Sequence, residues 1–315
     1  MDLQLGGGDS AKMAKLLGCT KLKIGRVEEY FRKGRKIGAG AQGTVYLATP
    51  TAKGKKLKPT MPSTVVIKHI VLPQPEPVTA ADLHRNPWLR DHYAKDFSLK
   101  LAPIVAEIQI LKYLDLPNNM KYYGCLTNKQ DAYIVMEHVE GATLLQGINS
   151  KSFNPAQKIS ITVELHKAIS DLHGAGVIHR DIKPENILCK VVDDATVKVT
   201  LVDYGMSCIH KTKVGYCTGE GGTPAYVDPR QEIGSVFSMM LSDWWAFGQT
   251  MVTLHARFRM YDEEQGQYRK YSDLAGLQPH FNRIPGYKVL AKFTDPSIPQ
   301  SARPTVDELL ASMLK

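Results

Sequence analysis

Two features near the start of the chain combine residue types and spacing suited to chemistry on an anion. The string Ile37-Gly38-Ala39-Gly40-Ala41-Gln42-Gly43-Thr44-Val45 has the pattern G-x-G-x-x-G-x-V. Glycines let a hairpin tip lie close over phosphate groups, with backbone N–H groups turned to the anion. A dinucleotide-binding loop has nearly the same string but opens a helix, whereas Thr44, Val45, Tyr46 and Leu47 continue as a β run. A Gly-rich hairpin turn without a ligand is the plain alternative. Downstream, Val65-Val66-Ile67-Lys68 is a β run that ends on a lysine. Alone, such a lysine is surface charge. Paired with a glutamate on the packing helix it becomes a fixed cation for α- and β-phosphates, and Glu107 lies in a suitable helical segment.

The third feature is the string Val177-Ile178-His179-Arg180-Asp181-Ile182-Lys183-Pro184-Glu185-Asn186-Ile187-Leu188, which fills every specified position of H-R-D-x-x-x-x-N. After it, a β run from Val197 to Val202 ends at Asp203-Tyr204-Gly205. With these strings in this order, the chain resembles the eukaryotic-type protein kinase family. The resemblance implies ATP and Mg2+ as cofactors and a protein hydroxyl as acceptor. Asp181 would accept the proton of the acceptor hydroxyl, with Lys183 beside it; Asn186 and Asp203 would hold the metal, and Lys68 with Glu107 the phosphates. Carboxylate, amide and phosphate oxygens suit a hard cation that keeps some of its waters. Met136 would be the gatekeeper and Glu137 to Val139 the hinge against adenine, with Val45, Val66 and Leu188 around the ring. Tyr204 stands where the family's D-F-G has phenylalanine; it keeps the aromatic bulk and adds a hydroxyl that needs a partner.

Further segments resemble the family. Gly222-Thr223-Pro224-Ala225-Tyr226 is similar to G-T-P-x-Y, Asp243 to Gly248 to D-x-W-x-x-G, and Arg303-Pro304-Thr305 to R-P-T. Lys183 and Thr223 imply serine/threonine specificity. Arg180 before Asp181 resembles kinases whose activation loop is ordered by phosphorylation. A phosphate on Thr212 or Thr218 would supply counter-charge to Arg180, His210, Lys211 and Lys213. One departure stands out: Asp228-Pro229-Arg230 replaces A-P-E, so that Arg230 and Arg303 would face each other unless Glu232 or another acid substitutes. A pseudokinase scaffold that binds nucleotide is the alternative reading.

The elements needed to position these residues divide along the chain. From Tyr30 to Met136 short β-rich runs alternate with turn residues: Arg35 to Ile37, Thr44 to Ala48, Ser63 to His69, Tyr122 to Leu126 and Ala132 to Met136. One helix, Ile104 to Leu114, interrupts them. Beyond Thr143 helical periodicity dominates, notably Pro155 to His173 and Ser238 to His255. The expected fold class is α+β: a bilobal protein-kinase-like fold with a small antiparallel β lobe, one main helix, and a larger α-helical lobe. Residues 1–29 read as a tail and 30–315 as the kinase domain, with 30–139 the small lobe and hinge and 140–315 the large lobe. Two insertions lengthen the small lobe, 50–62 and 72–103. The second reads as a tolerated insertion with a small core of its own or as a docking element for a partner.

With 315 residues and 43% hydrophobic content the chain can build a buried core. Charge interrupts its apolar stretches too often for a membrane span, and neither a signal peptide nor a myristoylation glycine opens it. An intracellular protein is expected, cytoplasmic or nuclear. Five scattered cysteines without a Cys-x-x-Cys pair read as reduced thiols. The net charge of +9 is concentrated in loops such as Lys53 to Lys58, which lack interleaved aromatics, so nucleic-acid binding is not expected.

Overall fold

The computed structural model describes residues 17–18, 20–21, 27–40, 43–74, 84–86, 88–128, 130–210, 221–229, 231, 236–256, 261–262, 267–268, 286–293, 295 and 297–313. They fall into two compact units, Met1–Tyr113 with Met120–His138, and Leu114–Asn119 with Val139–Lys315.

The first unit is built on one six-stranded sheet in the order β1-β5-β6-β4-β3-β2. Its strands are β1 (Thr20–Lys21), β2 (Phe31–Gly40), β3 (Gly43–Pro50), β4 (Val65–Val71), β5 (Tyr122–Thr127) and β6 (Asp131–Glu137). All pairings are antiparallel except β1 on β5. Central strands β4 and β6 are buried along nearly their whole length, which explains why their sequences are continuous apolar runs rather than alternating ones. In that setting Lys68 is the exception, a cation on a buried strand position.

Insertion 50–62 closes one face of this sheet. Thr51 caps the short helix α1 (Ala52–Lys55) by accepting the Gly54 N–H at 3.2 Å. Met61 then joins Val27, Phe31, Ala48, Val65, Ile67, Leu126, Tyr133 and Val135 in one core. The basic residues here meet aromatic faces: Lys53 sits 4.5 Å from the Tyr30 ring and Lys58 5.5 Å from the Tyr123 ring. The tail reading of residues before Tyr30 misses that Leu17 and Val27 are buried and that Thr20 and Lys21 form a strand.

The main helix, α2, spans Leu89–Tyr113. Much of insertion 72–103 is therefore the first part of the same helix that carries Glu107, not a separate element. Phe97 and Leu101 are buried while Trp88 and Leu99 are exposed. Pro103 sits inside it, ahead of the Ile104 start that the sequence suggested. It forgoes only the bond its missing N–H would have made to the previous turn.

The second unit opens with β7 (Ala142–Thr143), α3 (Leu144–Asn149) and α4 (Pro155–Gly174). Asn154 caps α4 in a reciprocal box with Gln157 and Pro155 occupies its first turn. Next come β8 (Val177–Ile178), the hairpin of β9 (Ile187–Val191) and β10 (Val197–Leu201), and β11 (Cys208–Ile209), which pairs with β8. The apolar helix α5 (Val236–Ala256) follows, then α6 (Tyr287–Phe293) and α7 (Val306–Met313). Ile161, Leu165, Ala168, Ile169 and Leu172 on α4, with Phe247, Met251 and Leu254 on α5, are buried, the helical period expected of core-facing stripes. Among the described residues no helix is long and apolar enough to cross a membrane. The reduced-thiol reading needs correcting: Cys125 and Cys208 are disulfide-bonded, while Cys189 is a buried free thiol whose pKa burial pushes up to about 12.

Candidate active site

In the first unit the glycine-rich string forms the turn of the β2–β3 hairpin, with Gly38 opposite Val45, Ala39 opposite Thr44 and Gly40 opposite Gly43. Ile37 lies on β2 before the turn; Ala41 and Gln42 lie outside the described residues. Gly43 has a positive φ of 132° and a Cβ there would run into the His69 carbonyl oxygen, so the chain itself requires this glycine. Gly40 is different. A Cβ there would meet nothing within 4 Å, so no contact among the described residues accounts for it.

Lys68 pairs with Val45 on one side and Ile134 on the other, and its Nζ lies 2.6 Å from Glu107 Oε1. Only 6% of Lys68 and 3% of Glu107 are exposed. The pair therefore holds a fixed geometry in a site poor in solvent. Val66 stands opposite Met136 in the β4–β6 ladder and both are buried. Glu137 ends β6, where its N–H donates to the Lys121 carbonyl at 2.9 Å.

In the second unit three polar side chains converge on Asp181, which is 8% exposed. Lys183 Nζ lies 2.9 Å from its Oδ2 and donates to Thr223 Oγ1 at 2.7 Å. The Thr223 hydroxyl donates to Asp181 Oδ1 at 2.7 Å, and Asn186 Nδ2 donates to Oδ2 at 2.9 Å. Asn186 Nδ2 also donates to the Asp181 carbonyl at 2.9 Å. With both amide hydrogens engaged, its Oδ1 remains available as a ligand. The β9–β10 pairing then sets Asp203: Leu201 pairs with Ile187, and the Val202 N–H donates to the Asn186 carbonyl at 3.0 Å. Leu188 on β9 is half-buried, and Val139 begins the chain of this unit.

The loop carrying Asp181 is pinned from α5. Asp243, 1% exposed, accepts the N–H of His179 at 2.9 Å and of Arg180 at 2.8 Å, and its Oδ2 lies 2.8 Å from His173 Nε2. Arg180 and Asp203 both hold positive φ, 68° and 66°, a conformation that non-glycine residues keep only where surroundings impose it. Burial lowers the pKa of Arg180, against the Asp243 charge that raises it.

The family model for the protein kinase domain matches residues 91–315. The chain belongs to the protein kinase family. The kinase is 36% identical over 146 residues to a probable myosin light chain kinase of Dictyostelium discoideum, covering 46% of this chain and 45% of that one. It is 27% identical over 212 residues to CBL-interacting protein kinase 33 of Oryza sativa subsp. japonica, covering 66% and 45%. Over 155 residues it is 32% identical to the serine/threonine-protein kinase DCLK3 of Mus musculus, covering 49% and 19%. The kinase thus spans less than half the length of each of these relatives.

The residues of this kinase fit the ATP and Mg2+ that the family uses. A buried lysine held by a glutamate suits phosphate oxygens, and an aimed amide oxygen with one carboxylate suits a cation that takes its other ligands from phosphate and water. Arg303 has an acidic partner in Asp228. Arg303 donates from Nη1 to Asp228 Oδ2 and from Nη2 to Oδ1 at 3.1 Å, with its guanidinium 4.5 Å from the Trp245 ring. Arg230 and Glu232 lie outside the described residues, as do Thr212 and Thr218. Ser207, by contrast, is buried and donates to the His179 carbonyl at 2.9 Å. Sequence reading used Thr223 for specificity alone and missed its bond to Asp181. Asp243 carried a signal as the acid of the D-x-W-x-x-G string, and Asp228 as an acid where A-P-E has alanine; Asn119 carried none.

Proposed function

We propose that the chain transfers the γ-phosphoryl group of Mg2+-bound ATP to serine or threonine hydroxyls of proteins. The observation that carries this reading is the Asp181 carboxylate, held in one orientation by Lys183, Thr223 and Asn186. In this role Asp181 orients the acceptor hydroxyl and takes its proton, while Lys183 sits beside the carboxylate as a fixed positive charge. Asn186 and Asp203 would hold the metal, which would supply positive charge to the phosphates. In the first unit the glycine-rich hairpin and Lys68, oriented by Glu107, would take the phosphates, and Val45, Val66, Met136 and Glu137 would meet the adenine; Val139 and Leu188 are the adenine candidates of the second unit. Lys183 and Thr223 together support the serine/threonine preference, in line with the similarity to the mouse serine/threonine-protein kinase DCLK3. Phosphorylation at Thr212 or Thr218 activates the enzyme by giving Arg180 a counter-charge; full activity of the double alanine variant would remove this part. The alternative is a scaffold that binds nucleotide without transfer; the Asp228 partner of Arg303 supports the catalytic reading over it. The test is transfer from labelled ATP to a degenerate Ser/Thr/Tyr peptide array, with Asp181→Asn and Lys68→Met as controls. Label on Ser/Thr peptides only, lost in both controls, is expected; equal labelling by wild type and controls contradicts the assignment.

A further inference from the structure

Tyr204 carries a hydroxyl into the interior, where only 1% of the residue is exposed. That hydroxyl donates to Asn119 Oδ1, with the Leu201 carbonyl at 3.5 Å as a second, weaker neighbour. Asn119 is itself 5% exposed and anchored through its backbone: its N–H donates to the Leu116 carbonyl at 3.1 Å, and it forms a bridge with Leu201. Its Nδ2 has no hydrogen-bond partner among the described residues. Moving Tyr204 away would therefore leave the buried amide with neither polar atom satisfied, a penalty that a phenylalanine in the same place would not impose.

The restraint acts one residue from a strained backbone. Asp203 holds φ at 66°, a conformation uncommon outside glycine and one that clusters at functional sites. On the far side of Tyr204 the Ser207 N–H donates to the Tyr204 carbonyl at 3.0 Å, and the His179 ring lies 5.2 Å from the Tyr204 ring. The ring contact and the backbone bond would both survive replacement by phenylalanine. The hydroxyl bond is the additional constraint that tyrosine supplies.

We infer that Tyr204 is a positioning residue: its hydrogen bond to Asn119 locks the Asp203 backbone in the left-handed conformation that presents the carboxylate to the metal. This rests on the reading of Asp203 as a Mg2+ ligand. The bond makes the metal site preformed before nucleotide arrives, so the metal meets its carboxylate without first paying to order it.

Tyr204→Phe and Asn119→Ala remove the bond from either side. Two readouts independent of turnover are hydrogen exchange of the peptide containing Tyr204 to Ser207 in the unliganded protein, and Mn2+ affinity with a non-hydrolysable ATP analogue, followed by electron paramagnetic resonance. Loss of one buried hydrogen bond predicts exchange faster by up to about tenfold and Mn2+ binding weaker by about 3- to 10-fold, with metal-free nucleotide affinity unchanged. The double variant should be no worse than either single one. Unchanged exchange and metal affinity in Tyr204→Phe overturn the inference. Asp203→Asn separates this from the underlying reading: if Asp203→Asn loses metal affinity while Tyr204→Phe does not, only the positioning role falls. If Asp203→Asn keeps full metal affinity, the metal reading and the inference fall together.

Discussion

At the scale of single residues, the hydroxyl of Thr223 joins a cation to a carboxylate. It accepts from Lys183 and donates to Asp181, so Thr223→Ala takes away the bond to Asp181 Oδ1, leaves the carboxylate held through Oδ2 by Lys183 and Asn186, and costs Lys183 an acceptor. The expected loss in kcat is about tenfold or more, from two hydrogen bonds to charged groups, with the KM for ATP little changed; Thr223→Ser should restore it. Lys68 and Glu107 make a second residue-scale test, because both are buried. Lys68→Met strands a carboxylate in the interior and should cost about 3–5 kcal/mol, whereas Lys68→Met with Glu107→Leu should recover much of it. Thermal melts read the stability and phosphate transfer reads the activity. Recovery of the melt without recovery of transfer is expected, since the phosphates need the cation.

At the scale of elements, what matters is which helix or segment holds a loop still. Asp228 and Arg303 tie the 221–229 segment to the chain before α7, with Trp245 of α5 under the guanidinium. Asp228→Asn should lower turnover of peptide substrates several-fold, through loss of about 2–3 kcal/mol of charge-assisted bonding to the segment, without altering nucleotide affinity measured by titration. A second element-scale prediction concerns α4 and α5, where Thr162 meets His255 Nε2 at 3.2 Å. Burial, with Lys158 adding to it, lowers the His255 pKa from 6.5 to about 4. The neutral ring is thus the folded form, so its contribution is fully present above pH 6.5 and is lost as pH falls toward 4. The amount is on the order of 3 kcal/mol, and urea midpoints should fall more steeply through this window in wild type than in His255→Leu. Elements were also where sequence reading had limits. The helix was expected to begin at Ile104, yet α2 begins at Leu89 and runs through Pro103, and insertion 50–62 gave no sign that Met61 would complete a core. A motif such as H-R-D is local in sequence and legible there; the partners of Met61, Asp228 and Asn119 are set by tertiary packing, which periodicity does not encode.

At the scale of the whole chain, the order of groups is what survives change. The family model begins at residue 91, so the glycine-rich hairpin and Lys68 lie before the matched span, yet both were legible from residue type and spacing. Insertions that lengthen the chain between Lys68 and Glu107 leave their ion pair at 2.6 Å, because β4 and the last part of α2 fix it. The α+β class and the two main helices of the second unit were likewise readable from periodicity, to within a residue or two at their ends. The central claim is that these groups together move a phosphoryl group from ATP to a protein hydroxyl. The measurement that tests it most directly compares wild type with Asp181→Asn for transfer of labelled γ-phosphate to serine and threonine peptides, with ATP affinity determined on the same samples. The account predicts transfer by wild type, a fall of about a hundredfold or more in Asp181→Asn, and equal ATP affinity. Nucleotide binding by wild type without transfer, or undiminished transfer by Asp181→Asn, would contradict it.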